Sequence, residues 1–287
     1  MSFRTRFAPS PTGPLHLGHA YSAILAHDMA KRTGGKFLVR IEDIDQSRAR
    51  ASWAQQIFND LEWLGLEWPE PVMVQSTRRS IYQKALNALW KQGLLYVCHC
   101  NRQDILAAAS APQEGSPMIG PDGVIYPGTC RSLINDISTP RPQDAALRLK
   151  LCSKPSKNYT FNENGAGPDG QTGIMTLTLS QIITEVGDIV LSRKDMGTSY
   201  HLSVVLDDAA QGINHVVRGQ DLFEATKIHV LLQDLLGLQT PIYHHHGLIR
   251  DDQGKRLAKR DDARAIAKYR DDGYTPDDIR KMIGLAR

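Results

Sequence analysis

The chain has 287 residues, of which 41% are hydrophobic and 23% charged, and its formal net charge at pH 7 is +3. This composition is typical of a soluble globular protein with a substantial core, and the lack of a long apolar run argues against a membrane span. Four cysteines and a start without a hydrophobic signal segment favour a reducing compartment, so we expect a cytoplasmic protein. The small net charge does not itself predict nucleic-acid binding, which would need a local basic patch.

The first chemical signal is a histidine pair placed where a strand gives way to a helix. Residues 3–8 have strand character, a segment rich in proline and glycine follows, and apolar periodicity indicates a helix from about Gly18. Backbone amides at a helix start favour phosphate oxygens, and Gly18 would let a nucleotide approach the backbone closely. His16 and His19 would lie beside that terminus and donate to phosphate. Alternatively, they are ordinary loop and helix-cap residues.

The pattern of strands and helices continues in two blocks separated by an interval of different composition. The predicted elements of the first block are a strand at Lys36–Ile41 and helices near 51–64 and 78–92. Residues 98–185 contain the cysteines, two Gly-rich stretches and a strand-like segment from Ala146 to Leu151. The later predicted elements are a strand at 215–218, a helix at 225–236 and a helical tail over 262–287.

These blocks predict an α/β protein with a Rossmann-like parallel sheet split by an insertion. The expected divisions are a first half of the nucleotide-binding domain at 1–97, an inserted domain at 98–185, a second half at 186–243, and a loop with a short helical C-terminal tail at 244–287.

The cysteines form a partial metal-binding pattern within the inserted interval. Cys98 and Cys100 are separated by one residue, and Cys130 follows a Gly-rich stretch. Three thiolates supply three ligands of a tetrahedral zinc ion, and either Tyr126 or His99 would supply the fourth. Buried free thiols are the alternative interpretation, because the spacing alone fits both.

Two further features stand near the C-terminal end. Residues 254–260 combine a glycine with four cations, as expected of a mobile loop that neutralises departing pyrophosphate, although a solvated basic turn has the same composition. Residues 244–246 are three consecutive histidines, which would point to alternating faces of a strand. A metal site is therefore not expected there, but one of the three would be able to approach the adenine or ribose of a nucleotide.

Together these motifs resemble the class I aminoacyl-tRNA synthetases of the glutamyl group. The matching segments, in the family order, are RFAPSPTGPLHLGH at 6–19, IEDID at 41–45, VRGQDL at 217–222 and RLAKR at 256–260. The resemblance implies ATP binding, with Mg²⁺, at His16, Gly18, His19 and Lys259. It makes His16, His19 and Lys259 the expected catalytic residues. Ala258 departs from the family pattern, because the usual loop serine and its hydroxyl are missing.

The resemblance also implies a glutamate site and a structural zinc site. Two arginines, Arg6 and Arg218, would hold carboxylates, Glu42 would hold the α-ammonium, and Tyr200 would donate from its phenol. The remaining residues expected at this site are Phe7, Ala8, Pro9 and Ser10. His201 stands where related chains often have asparagine. The implied zinc ligands are Cys98, Cys100, Tyr126 and Cys130.

Length decides between members of the glutamyl group. A discriminating glutamyl-tRNA synthetase carries a further anticodon-binding part, for which 287 residues leave no room. The chain is therefore expected to resemble the truncated paralogues that activate L-glutamate with ATP and attach it to queuosine in the anticodon of tRNA(Asp). The alternatives are a fragment of a longer synthetase, a compact synthetase charging the tRNA 3′ end, an enzyme acylating another acceptor, or a catalytically weak tRNA-binding paralogue. We expect a monomer.

Overall fold

The computed structural model describes residues 2–110, 118–133, 135–151, 157–249 and 264–286. Its strands are β1 Arg4–Phe7, β2 Lys36–Ile41, β3 Met73–Val74, β4 Leu95–Cys98, β5 Ile119–Gly120, β6 Gly123–Val124, β7 Ala146–Leu149, β8 Asn158–Glu163, β9 Gly173–Thr178, β10 Val190–Ser192, β11 His215–Gly219 and β12 Ile242–His246. Its α-helices are α1 Leu17–Arg32, α2 Ala51–Trp63, α3 Arg79–Lys91, α4 Arg102–Ala109, α5 Leu179–Glu185, α6 Tyr200–Ala210, α7 Thr226–Leu235, α8 Ile266–Asp271 and α9 Pro276–Met282.

Two groups of parallel strands meet at the centre of the molecule. One group has the order β1-β2-β3, and the other has β11-β12-β8 with β9 antiparallel at its edge. The groups adjoin where the Asn214 amide donates to the Arg4 carbonyl at 3.1 Å and the Arg4 amide donates to Asn214 Oδ1 at 2.8 Å. β1 and β11 are therefore neighbours, although more than 200 residues separate them. The predicted α/β architecture with a parallel sheet is confirmed.

A separate antiparallel sheet joins the cysteine-containing region to the rest of the chain. Strand β7 pairs with β4 on one side and with β10 on the other. Strands β8 and β9 lie within the interval 98–185 but extend the parallel sheet through the pairing of Glu163 with Tyr243. Strand pairing thus crosses both predicted ends of the insertion, which sequence periodicity cannot reveal.

Helix α1 packs closely on the central sheet because its buried face consists largely of small residues. Ala20, Ala23 and Ala26 are fully buried, together with Ile24, in a core that includes the apolar side chains of β2. Small side chains let a helix approach a sheet closely. The N-terminus of α1, and the histidines beside it, are therefore held at a fixed position relative to β1.

The C-terminal tail is anchored next to this helix. The Ile266 amide donates to the Leu15 carbonyl at 2.9 Å, and Arg280 bonds both carboxylate oxygens of Asp28 on α1 at 2.6 and 3.0 Å. Ile266 and Ile279 are fully buried in the same core. The tail contains α8 and α9, as the periodicity of residues 262–287 predicted for a helical segment. The basic motif at 254–260 lies outside the described residues, but the chain that follows it returns beside His16.

The remaining helix predictions agree with the structure to within about two residues. The helices predicted near 51–64, 78–92 and 225–236 correspond to α2, α3 and α7. In the described ranges, none of the helices has the length and apolar character needed to cross a bilayer.

Candidate active site

A cleft of about 340 Å³ opens at the C-terminal ends of β1 and β11. The residues that line it are Arg6, Phe7, Ala8, His16, Gly18, His19, Ser22, Glu42, Tyr200, Val217, Arg218, Gly219, Asp221, Leu222, His246, Leu248 and Ile249. Ligands of open α/β folds bind at such a point, where the strand order reverses and loops from neighbouring strands diverge. The cleft thus brings together the predicted HxGH motif and most of the predicted glutamate residues.

The histidine pair caps helix α1 through reciprocal hydrogen bonds. His16 Nδ1 accepts from the Gly18 amide at 3.1 Å, and His19 Nδ1 accepts from the His16 amide at 3.2 Å. The two rings are in contact, with centroids 3.8 Å apart and planes inclined by 33°. Because both Nδ1 atoms act as acceptors, the neutral rings carry their proton on Nε2, the nitrogen able to donate to phosphate. The Gly18 amide is used by the cap rather than presented to a ligand.

A buried ion network holds Arg6 and Glu42 at the cleft. Asp208 Oδ1 accepts from Arg6 Nε at 2.9 Å and from Arg40 Nη1 at 2.7 Å. Arg40 also donates to Glu42 Oε1, at 3.0 Å from Nη2 and 3.3 Å from Nε. Arg6 uses only its Nε in this network, and Glu42 uses only its Oε1. The two Nη atoms of Arg6 and the Oε2 of Glu42 have no hydrogen-bond partner among the described residues. Both groups therefore keep bonding capacity for a ligand.

Burial and charge act on these groups in opposite directions. Burial raises the pKa of Glu42, although the Arg40 and Arg6 cations act against this shift. Burial also tends to raise the pKa of Asp208, but Arg6 and Arg40 outweigh it and hold this pKa below the usual range. Burial and the Glu42 carboxylate raise the pKa of Tyr200, so its phenol stays protonated as a donor. Of these two carboxylates, that of Glu42 is therefore the one whose ionised form a cationic ligand would stabilise more.

Arg218 is held mainly by neutral acceptors. Its Nε donates to His245 Nε2 at 2.9 Å, its Nη1 donates to His229 Nδ1 at 3.0 Å, and its Nη2 donates to Thr226 Oγ1 at 2.7 Å and to the Leu222 carbonyl at 3.1 Å. Within the described ranges no carboxylate lies at ion-pair distance from this guanidinium. Burial and the Arg218 cation lower the pKa of His229 well below its ordinary value, which keeps that ring neutral.

Helix α6 is fixed by a second acidic side chain that the sequence did not single out. Asp207 accepts from Gln75 Nε2 at 2.8 Å, from Arg78 Nε at 2.6 Å and from the Tyr82 hydroxyl at 2.7 Å. This cluster fixes the part of α6 that carries the next residue, Asp208, which bonds Arg6 and Arg40. Two acidic residues in the apolar helix segment VVLDDAA, and an arginine in the apolar strand KFLVRI, were the available signals.

The other predicted positions take several roles. Pro9 and Ser10 do not line the cleft, but the Pro9 carbonyl accepts from the Glu42 amide at 3.0 Å and so helps to place it. His201 is buried and its Nδ1 lies 3.1 Å from His229 Nε2. His246 lines the cleft and bonds Ser22 Oγ at 2.8 Å. Lys259 and Ala258 lie outside the described residues.

The three cysteines of the predicted zinc pattern come together with Tyr126. Their sulfur atoms all lie within 4.8 Å of one another, and Cys100 Sγ is 3.5 Å from Cys130 Sγ. The Tyr126 hydroxyl is 3.5 Å from Cys98 Sγ and 3.4 Å from Cys100 Sγ. His99, the alternative fourth residue, is exposed and does not join this group. Cys152 lies outside the described residues.

The surroundings of the sulfur cluster lower the pKa of one thiol, that of Cys130, whereas burial raises the pKa of Cys100. Arg148 Nε donates to Cys98 Sγ at 3.2 Å, and the Arg148 guanidinium lies 3.8 Å from the centre of the Tyr126 ring. Burial opposes ionisation of Cys130, but hydrogen bonds from the Tyr126 hydroxyl and from backbone amides outweigh it and lower the pKa of Cys130 to about 7. Thiolates are the metal-binding form of cysteine.

Comparison with known proteins defines the class to which this fold and cleft belong. Residues 2–286 match the family of class I tRNA synthetases (E and Q), catalytic domain. The chain belongs to this family, and its class is therefore that of ligases of the aminoacyl-tRNA synthetase type.

Within the family, the chain is most usefully compared with relatives that it matches over nearly its whole length. The chain is 60% identical over 285 residues to the Glutamyl-Q tRNA(Asp) synthetase of Rhodobacter capsulatus, covering 98% of this chain and 99% of that protein. It is 39% identical to the protein of the same name from Symbiobacterium thermophilum, covering 96% of this chain and 83% of the relative. The resemblance predicted from the motifs is confirmed.

A solved structure supports the fold assignment. A glutamate tRNA ligase from Elizabethkingia meningosepticum, crystallised with its amino acid, matches with a TM-score of 0.77 and 28% sequence identity. The match covers 99% of this chain and 61% of the ligase, so the chain spans about three fifths of that protein's length.

Proposed function

We propose that this chain activates L-glutamate with ATP to glutamyl-adenylate and then transfers the glutamate to the queuosine base in the anticodon of tRNA(Asp). The observation that carries the proposal is the convergence of Arg6, Glu42, Tyr200 and Arg218 with the HxGH histidines in one cleft. The identity to relatives named Glutamyl-Q tRNA(Asp) synthetase supports the choice of acceptor.

The charges of the cleft complement those of glutamate. The Nη atoms of Arg6 and the guanidinium of Arg218 match two carboxylates, and Glu42 matches the α-ammonium. Charged groups in a partly desolvated site need such partners, because an unpaired buried charge is costly. Tyr200 adds a phenol donor at the same cleft. Phe7 and Ala8 line it as apolar walls, while Pro9 and Ser10 form the adjoining backbone.

Activation needs positioning and stabilisation of phosphate charge. An α-carboxylate oxygen of glutamate attacks the α-phosphorus of ATP, the bond to the bridging oxygen breaks, and pyrophosphate leaves with the electron pair. His16 and His19 would donate from Nε2 to phosphate oxygens, Gly18 would admit the nucleotide close to the backbone, and Lys259 would neutralise the leaving group. Mg²⁺ bound with ATP supplies additional positive charge. In the transfer step, a hydroxyl of the queuosine ring attacks the activated carbonyl, loses its proton and displaces AMP.

We also propose that Cys98, Cys100, Tyr126 and Cys130 hold one structural zinc ion in the inserted domain at 98–185, which would contact the acceptor RNA. Two sulfur ligands of a tetrahedral zinc ion lie about 3.8 Å apart when Zn–S is about 2.3 Å, and an oxygen ligand at about 2.0 Å lies about 3.5 Å from each sulfur. The distance of 3.5 Å between the Cys100 and Cys130 sulfurs, and those of 3.5 and 3.4 Å from the Tyr126 hydroxyl to the Cys98 and Cys100 sulfurs, are compatible with this arrangement. Four protein ligands leave no position for water, so the ion would hold the fold together rather than take part in the chemistry.

The acceptor is tested with labelled glutamate and matched tRNA pools from cells with and without queuosine. Label should appear only on the queuosine-containing pool, and nuclease digestion should place it in the anticodon fragment. Equal labelling of both pools at the 3′ end would instead identify a compact glutamyl-tRNA synthetase. A lack of glutamate-dependent ATP–pyrophosphate exchange would identify a catalytically weak tRNA-binding paralogue.

A further inference from the structure

The two arginines of the cleft are held in chemically different ways. Arg6 bonds the Asp208 carboxylate directly, so part of its charge is balanced within the protein. Arg218 bonds two imidazoles, a hydroxyl and a carbonyl, all of them neutral acceptors. A carboxylate in direct contact with Arg218 would compete with a carboxylate of the ligand for the same cation. Neutral acceptors satisfy the N–H donors and leave the charge for the ligand.

Glu163 determines which nitrogen of His245 faces Arg218. The Glu163 carboxylate lies 2.5 Å from His245 Nδ1 and accepts from the backbone amides of His245 at 2.9 Å and Gly165 at 2.8 Å. Both side chains are fully buried. An ionised carboxylate only accepts, so His245 Nδ1 carries the proton and Nε2 is left as an acceptor. Arginine only donates, so this is the tautomer that Arg218 Nε requires.

On the opposite side of the guanidinium, a second neutral imidazole, that of His229, accepts from Arg218. His229 Nδ1 accepts from Arg218 Nη1, so the neutral His229 ring carries its proton on Nε2 and donates it to His201 Nδ1 at 3.1 Å. His201 Nε2 in turn lies 3.5 Å from Asp122 Oδ1. On one side of Arg218, His245 thus lies between the cation and the Glu163 carboxylate. On the other side, two imidazoles, those of His229 and His201, lie between the cation and the Asp122 carboxylate.

We propose that His245 and Glu163 are positioning residues for the glutamate site. Glu163 fixes the tautomer of His245, and His245 orients Arg218 as a cation that, among the described residues, has no carboxylate at ion-pair distance. This arrangement favours a ligand carboxylate over the isosteric amide, and so discriminates glutamate from glutamine. The inference rests on the proposed function, because it assigns a role within the glutamate site. Neither residue lines the cleft, so both act through Arg218.

The test compares His245→Leu with His245→Gln in glutamate-dependent ATP–pyrophosphate exchange, using the full chain. Leucine removes the acceptor, whereas the glutamine carbonyl is a neutral acceptor able to replace Nε2. We expect His245→Leu to raise the KM for glutamate on the order of tenfold, with kcat and the KM for ATP changed by less than about twofold. His245→Gln should restore most of the glutamate KM. His244→Leu, on the opposite face of the same strand, is the matched control and should leave all constants unchanged.

A second variant keeps the inference testable if His245→Leu does not fold. Glu163→Gln presents an amide to His245 Nδ1, so the ring tautomer is no longer fixed. We expect a raised glutamate KM and a smaller preference for glutamate over glutamine, with the KM for ATP unchanged. Unchanged glutamate constants in active Glu163→Gln or His245→Leu enzyme would overturn the positioning role. Equal impairment in His245→Gln and His245→Leu would also overturn it, because packing alone would then explain both. Absence of exchange in the unmodified chain would refute the proposed function itself.

Discussion

Glu42→Gln separates the cost of burying a carboxylate from its use in binding. Glu42 is 8% exposed, and Arg40 bonds only its Oε1. A glutamine carbonyl at the same place still accepts from Arg40, and Arg40 keeps its bond to Asp208. The substitution therefore removes the charge that faces the cleft while leaving the internal hydrogen bonds in place.

The expected effects on binding and on stability differ. A hydrogen bond to a charged group contributes about 1.5–3 kcal/mol, so losing the contact to the α-ammonium should weaken glutamate about 10-fold to 150-fold. Stability should not fall, because burial raises the pKa of Glu42 and its ionised form is therefore disfavoured in the folded protein. We expect the free energy of unfolding of the ligand-free variant to equal that of the parent within about 1 kcal/mol, or to exceed it.

The pH dependence provides an independent check with a defined sign. Because the folded-state pKa of Glu42 is raised above its ordinary value of 4.5, its contribution to stability is present below pH 4.5 and is lost as pH rises through the folded-state pKa. Urea unfolding from pH 4 upward should show this loss in the parent and not in Glu42→Gln. Pyrophosphate exchange at saturating ATP gives the glutamate KM. A variant clearly less stable than the parent, or one with an unchanged glutamate KM, would refute the reasoning.

Three further substitutions test other parts of the site. Asp208→Asn leaves two buried arginines without their shared carboxylate and should cost about 3–5 kcal/mol in urea unfolding at pH 7. Because the pKa of Asp208 is depressed, this difference should shrink as pH falls below 3.8, and a pH-independent difference would contradict it. His19→Ala should reduce the rate of pyrophosphate exchange at least tenfold, and a normal rate would count against a role of His19 in activation. The variant also loses the hydrogen bond from the His16 amide that caps α1, so its free energy of unfolding should fall by about 0.5–2 kcal/mol. Cys130→Ser should lower zinc content measured by metal analysis, whereas His99→Ala should retain it; equal zinc in both variants would exclude the Cys130 ligand.

The parts of the fold that the sequence predicted are those with local signals. The start of α1 was placed within one residue because proline and glycine end the preceding strand and an apolar period begins at once. The cluster of Cys98, Cys100 and Cys130 was predicted from the spacing of the cysteines, and the family resemblance added Tyr126. Motif resemblance placed Arg6 and Arg218 in one cleft, a pairing that neither residue indicates alone.

Other features depend on pairings between distant segments, for which a single sequence carries no signal. Asp208 meets Arg6 across 202 residues and Arg40 across 168 residues. In the sequence, Glu163 is one of several polar residues in a strand where polar and apolar residues alternate. Only the parallel pairing of β8 with β12 brings it into contact with His245. The pairing of β8 with β12 is another such feature, because periodicity can identify a strand but not its partner.

The charge balance of the cleft gives a reason why the proposed reaction would use both the HxGH motif at 16–19 and the basic motif at 254–260. Three buried cations of the site, Arg6, Arg40 and Arg218, are matched by the three buried carboxylates of Glu42, Glu163 and Asp208, and the neighbouring carboxylate of Asp207 pairs with Arg78. Such a balanced network matches the ammonium and carboxylates of an amino acid by geometry, but it offers no net charge to offset a triphosphate. In the proposed reaction, that charge would come from Mg²⁺ bound with ATP, from the donors at the start of α1, and from the cations of residues 254–260. Since residue 266 is tied to Leu15, the chain after the basic motif lies beside the same helix start. Loss of Lys259 should therefore reduce the rate of adenylate formation more than it reduces glutamate affinity, a split that exchange kinetics of Lys259→Ala would measure.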